Sequence, residues 1–128
     1  MTFAKLINGV HASEVLEALD RSLAVIEFDL EGNILAANEN FCRTMGYEKQ
    51  EVIGQNHRLF VEDTYAESPD YRAFWSALLQ GECQKRQFRR IGKGGRLVWI
   101  EASYNPVFRR GKPYRVVKLA TDIYCGQG

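Results

Sequence analysis

Leu97-Val98-Trp99-Ile100-Glu101-Ala102-Ser103-Tyr104-Asn105-Pro106-Val107-Phe108 is a long alternating stretch. Val98, Ile100, Ala102 and Tyr104 fall on one side, which is the two-residue period of a half-buried strand. Its neighbours repeat the pattern. Cys83 to Ile91 reads as a strand with a heavily charged outer face, and Lys93-Gly94-Gly95-Arg96 supplies a turn. Arg109-Arg110-Gly111-Lys112 turns the chain again, and Tyr114 to Ile123 is the last strand. Consecutive strands joined by short turns pair antiparallel.

The pattern upstream is mixed. Phe3, Leu6, Ile7 and Val10, then Val15, Leu16 and Leu19, have helical spacing with a break near Asn8-Gly9. Ser13 is the expected N-cap of the second piece. From Leu23 to Leu30 the even positions Ala24, Ile26, Phe28 and Leu30 are apolar. That is a half-buried strand, paired through Glu31-Gly32-Asn33 with a short one over Ile34 to Ala37. Asn38 caps a short helix bearing Phe41 and Met45 and stopped by Gly46, and a second short helix, Lys49 to Ile53, ends at Gly54. The strongest helix starts at Ser68-Pro69, presents Tyr71, Phe74, Trp75, Leu78 and Leu79, and closes at Gly81. Strands segregated from helices define an α+β domain with an antiparallel sheet.

Bulk properties exclude several classes. The 128 residues make one domain with a core that needs no staples. A net charge of +1 gives no overall pull toward nucleic acid or anionic lipid. Lys85, Arg86, Arg89, Arg90, Lys93 and Arg96, with Arg109, Arg110, Lys112 and Arg115, form a basic run read as a solvated face or a surface for an acidic partner. Cys42, Cys83 and Cys125 are odd in number and lack Cys-x-x-Cys spacing, as expected of reduced thiols in the cytoplasm. No signal peptide or membrane-length apolar run is present, so no direct membrane contact is expected. Enzymatic signatures are missing. Gly92-Lys93-Gly94-Gly95 is a turn between strands rather than a phosphate loop, zinc-ligand spacing is absent, and Glu62-Asp63 sits in a polar loop.

The element order resembles the PAS family over roughly residues 21–124. Carrying the resemblance are Glu27-Phe28-Asp29 with Gly32-Asn33-Ile34, Ala37-Asn38-Glu39-Asn40-Phe41, Met45-Gly46-Tyr47, Glu51-Val52-Ile53-Gly54, His57-Arg58-Leu59-Phe60 and Phe74-Trp75. Arg90 to Gly95, Trp99-Ile100, Tyr104-Asn105-Pro106 and Ala120-Thr121-Asp122-Ile123 complete it. The chain is most similar to PAS domains of the bacterial chemotaxis-transducer and aerotaxis-receptor type. The resemblance implies a five-stranded antiparallel sheet with short helices on one face, enclosing a pocket. It implies a sensory input domain, not an enzyme, that reads a small ligand, redox state or gas. The signal would leave through the last strand toward an effector. Asp122 matches the usual end of that strand, whereas Tyr124 stands where threonine is common. Residues 1–20 are then an N-terminal helical cap that supports a homodimer, and residues 125–128 a C-terminal stub toward the effector. The alternative is a cofactor-free module for dimerisation or docking.

His57, one of two histidines, lies in the loop before the Ser68 helix, next to Asn56. Flavin-photoreceptor PAS domains carry a reactive cysteine in the equivalent run. Gly54-Gln55-Asn56-His57-Arg58-Leu59-Phe60 has histidine instead, so blue-light adduct chemistry is not expected. Imidazole binds iron axially, and His57 is the metal ligand if haem b is bound. FAD is the second candidate, stacking on Trp75 with its polar edge held by Asn38. Leu119 is the last strand's contribution to the pocket. An interior filled by side chains, with Trp75 as core and Asn38 as a cap, is the third possibility.

Overall fold

A computed structural model describes residues 9–122. The expectations at Phe3, Leu6, Ile7, Ile123 and Cys125, and the stub at 125–128, lie outside those residues. Helix α1 spans Ala12–Ser22, strand β1 Ala24–Phe28 and strand β2 Ile34–Ala37. Four short helices follow: α2 Glu39–Met45, α3 Lys49–Val52, α4 Asp63–Ala66 and α5 Pro69–Leu79. A single 3-10 turn, His57–Phe60, precedes α4. The chain ends with β3 Gln84–Ile91, β4 Leu97–Arg109 and β5 Lys112–Asp122.

The strands form one five-stranded sheet in the order β2-β1-β5-β4-β3, and every pairing is antiparallel. The α+β expectation therefore holds. The last strand sits in the middle, with Ala24 opposite Ala120 on one side and Ala102 opposite Ala120 on the other. Strand parity does the sorting. Ala24, Ile26 and Phe28 of β1, Val98, Ile100, Ala102 and Tyr104 of β4, and Val116 and Ala120 of β5 are buried on one face. Phe41 and Met45 of α2, Val52 of α3, Phe60, and Phe74 and Leu78 of α5 close over it. Burying each such side chain contributes about 1.5–3 kcal/mol.

Local chemistry explains most boundaries. Asn38 Oδ1 accepts the Phe41 N–H and Gly46 ends α2 in the left-handed region at φ 81. Ser68 accepts the Tyr71 N–H at the start of α5, with proline in its first turn. The start of α1 departs from expectation. His11 is the cap and its N–H donates to Glu14 Oε1 at 3.0 Å, which leaves Ser13 inside the helix. No residue of α1 is buried, and Leu16 is 65% exposed. Glu62-Asp63 is also not a plain loop, because Asp63 opens α4 and Glu62 Oε1 pairs with Arg89 at 2.6 Å.

Candidate functional site

The site is built around one imidazole. Asn56 caps the 3-10 turn by accepting the Arg58 N–H at 3.1 Å, and its Nδ2 donates to Glu31 O and Asn33 Oδ1. The His57 N–H donates to Gly32 O at 2.8 Å. These bonds pin the loop to the β1–β2 turn and drive the His57 side chain inward, where it is 0% exposed. Its ring meets Phe28, Phe60, Phe74, Tyr71, Trp75 and Tyr104, all with centroids within 6.2 Å.

Both ring nitrogens are engaged. Nδ1 lies 2.7 Å from the Tyr71 hydroxyl on α5 and Nε2 lies 2.9 Å from the Tyr104 hydroxyl on β4. Arg90 donates Nε and Nη2 to the same Tyr104 oxygen at 3.3 and 3.2 Å. An oxygen already accepting two N–H groups directs its own hydrogen to Nε2. That leaves the proton of the neutral ring on Nδ1, donating to Tyr71. Burial, and then the charges of Arg90 and Lys118, hold His57 well below its ordinary value of 6.5, so the ring is neutral at pH 7. Burial pushes the Tyr71 phenol up to about 12. At Tyr104 burial acts in the same direction, but the charges of Arg90 and Lys118 outweigh it and lower the phenol below its ordinary 10.0.

Not every candidate residue joins this cluster. Asn56 and Trp75 do. Trp75 is half-buried, edge-on to His57 and Phe28, and packs over Gly32. Gly32 has φ +87, and an added Cβ would meet Trp75 at 3.3 Å, so the turn needs glycine for conformation and for closeness. Asn38 is elsewhere. Its Oδ1 accepts from Phe41 N and Val25 N, and its Nδ2 donates to Leu23 O and to Asp20, joining α1, β1 and α2. Leu119 is on the other face of the sheet. The inward residues of β5 are Val116, Lys118 and Ala120, whereas Leu119 lines an outer groove with Leu16, Leu19, Val25 and Val117.

Sequence reading missed Tyr71 as a polar partner, the Tyr104 hydroxyl, Arg90 and Lys118. Arg90 is a correction to the solvated basic face, being 3% exposed. Its place on the same side of β3 as Phe88 was the available signal. The rest of that run is exposed or only half-buried, and is partly neutralised. Lys93 pairs with Glu51 at 2.6 Å, Arg115 with Glu27 at 3.5 Å, and Arg96 donates to Thr44 O. Among the described residues no group of histidine, cysteine and carboxylate side chains could hold a metal ion.

The residues do not fit an iron-bound haem. Nε2 and Nδ1 are both spent on phenols, and aromatic rings surround the imidazole where a porphyrin would lie. A flavin at His57 meets the same packed rings, and Asn38 is committed to backbone groups away from Trp75.

A one-sided antiparallel sheet whose helical cover encloses a polar centre defines a sensor-type α+β domain. The chain belongs to the PAS family: the family model described as PAS fold matches residues 34–120. It is 53% identical over 109 residues to the biofilm dispersion protein BdlA of Pseudomonas aeruginosa, a match covering 84% of this chain and 26% of that protein. It is 31% identical over 84 residues to the aerotaxis receptor of Escherichia coli, covering 66% of this chain and 16% of the receptor. The chain thus spans about a quarter of the first of these relatives and less of the second. A solved PAS domain from Colwellia psychrerythraea superposes with a TM-score of 0.73 at 23% identity, over 87% of this chain and 95% of that one, and shares the fold.

Proposed function

We propose that this PAS domain is the sensory input of a larger signal-transduction protein of the chemotaxis or aerotaxis type, acting in the cytoplasm on an effector C-terminal to β5. The observation that carries the reading is the buried His57 strut. It joins α5 through Tyr71 to β4 through Tyr104, so a change at one imidazole is felt by the helical cover and the sheet together. A small ligand that competes for these bonds biases two arrangements of the same layers. The names of the relatives, a biofilm dispersion protein and an aerotaxis receptor, support the assignment to sensing. No axial role for His57 is part of this reading.

The test uses amide hydrogen exchange on the chain and its Tyr104→Phe variant. That change removes the partner of Nε2 and of Arg90 while keeping the ring. Relay predicts altered protection in α1 and along β1–β5 as well as in β4 and α5. A change confined to β4 and α5 overturns relay and leaves a docking module. An absorption spectrum of freshly purified protein checks the cofactor side: a Soret band that His57→Ala abolishes would restore the haem candidate, and flavin bands would restore FAD.

A further inference from the structure

Strand β3 stands at one end of the sheet order and is paired only with β4 among the described residues. Its register fixes which backbone groups are spare. The Gly92 N–H donates to Arg96 O, so these two form a bonded pair. Two positions on each time, so do Arg90 with Val98, Phe88 with Ile100 and Arg86 with Ala102. The N–H and C=O groups of Lys85, Gln87, Arg89 and Ile91 then point away from β4, toward the open edge. Arg89 O agrees with this, because Arg90 Nη1 reaches it at 3.1 Å. Among the described residues no backbone group of another segment bonds to these four. A cleft of about 270 Å³ runs beside the edge, between residues 86–91 and the segment carrying Val61, Glu62 and Tyr65.

Charge decides what this edge can take. Lys85, Arg86 and Arg89 are exposed. Lys85 and Arg89 have the outer-face parity of the strand, opposite to the buried Phe88 and Arg90. Glu62 already engages one of these cations: its Oε1 lies 2.6 Å from Arg89 Nη2, with both side chains nearly half exposed. An internal carboxylate thus sits where an incoming strand would bring its own. Two copies pairing edge to edge would set Lys85, Arg86 and Arg89 against themselves, so the charges that guard the edge against self-association also select an acidic partner. We propose that the free edge of β3 is a docking site for an extended acidic segment of a partner protein. The segment adds to the five-stranded sheet as a further strand and displaces Glu62 from Arg89. Its alternate side chains divide between the two faces. Carboxylates lie beside Lys85 and Arg89 on the outer face, and apolar side chains enter the cleft against Val61 and Tyr65. This site is separate from the His57 strut and does not depend on the sensory reading.

The test is fluorescence anisotropy of a labelled octapeptide of alternating glutamate and valine, titrated with the whole chain at fixed ionic strength. A peptide of alternating lysine and valine is the charge control. The expected result is saturable binding of the acidic peptide alone. N-methylation of one alternate set of its residues abolishes binding and methylation of the other set leaves it, because only every second N–H faces the edge. Gln87→Pro removes an edge N–H without breaking the β4 ladder and weakens binding by about tenfold or more. Lys85→Glu, at an exposed position, is run beside it in case proline disturbs the strand, and also weakens binding. Glu62→Gln frees Arg89 and strengthens binding. Thermal unfolding checks that each variant is folded. The proposal is overturned by a flat titration, by equal binding of the lysine peptide, by tolerance of both methylated sets, or by binding unchanged in Gln87→Pro and Lys85→Glu alike. Weaker binding in Glu62→Gln overturns the competitor role of Glu62. None of these outcomes touches relay through His57, which fails only on the exchange experiment.

Discussion

His57 shows how far a residue can be read from its letter. Its position after Gly54 and Asn56 marked it as the centre of the site, and it is buried as a centre should be. Its chemistry was hidden, because Tyr71 and Tyr104 lie 14 and 47 positions away and only packing brings them to its nitrogens. Lys118 was hidden differently. Val116 to Ala120 is apolar at Val117 and Leu119 too, so alternation alone does not say which face of β5 turns inward. Two outcomes belong to this scale. His57→Ala removes the ring partner of the Tyr71 hydroxyl and the acceptor of the Tyr104 O–H and opens a void, and unfolding in urea should show a loss of about 3–5 kcal/mol. The pH dependence has a definite sign. The unfolded chain takes up a proton near 6.5 and the folded one resists it, so this contribution is intact above 6.5 and falls away as the pH drops below it. Below 6.5 the slope approaches about 1.4 kcal/mol per pH unit for one proton. Denaturant melts at pH 7.5 and 5 check it, and His57→Gln should flatten the difference.

At the scale of elements, periodicity and capping located nearly every helix and strand to within a residue or two. The exceptions have physical reasons. His57–Phe60 and Asp63–Ala66 are single turns, too short for a hydrophobic repeat to register. The N-cap of α1 moved from Ser13 to His11 because the Glu14 carboxylate reaches back to the His11 N–H. Asn38 was legible as a cap but not as a junction. It bonds the Phe41 N–H, the Val25 N–H, Leu23 O and Asp20, and Asn40 adds bonds to Asp20 O, Arg21 O and Leu23 O. The two amides tie the end of α1 to the start of β1. Asn38→Ala should cost about 2 kcal/mol, from the cap and the lost crosslinks together. It should also speed amide exchange from Leu19 to Val25, while α5 keeps its protection. Loss confined to α2 would mean that the amide acts as a cap alone.

For the whole molecule, the α+β class and the antiparallel sheet followed from where strands and helices fall along the chain. The order β2-β1-β5-β4-β3 did not, because pairing between chain ends is decided by three-dimensional packing rather than by local pattern. That order has a consequence for assembly. It puts β1 and β5 side by side, and their outward residues Val25, Val117 and Leu119 meet Leu16 and Leu19 of α1 in one apolar groove. A helix that buries none of its residues and leaves Leu16 65% exposed has apolar surface to spare. Pairing of two copies through α1 and this groove would cover it, in line with the homodimer that the sequence reading expects of the N-terminal helical cap. Sedimentation of the chain at micromolar concentration should then show a dimer, and Leu16→Glu or Val117→Glu should shift it toward monomer by placing an unpaired carboxylate in the contact. Both positions are solvent-accessible in the single chain, so each variant should keep its thermal stability as a monomer. A monomeric parent, or a dimer indifferent to both charges, would move the interface away from this face.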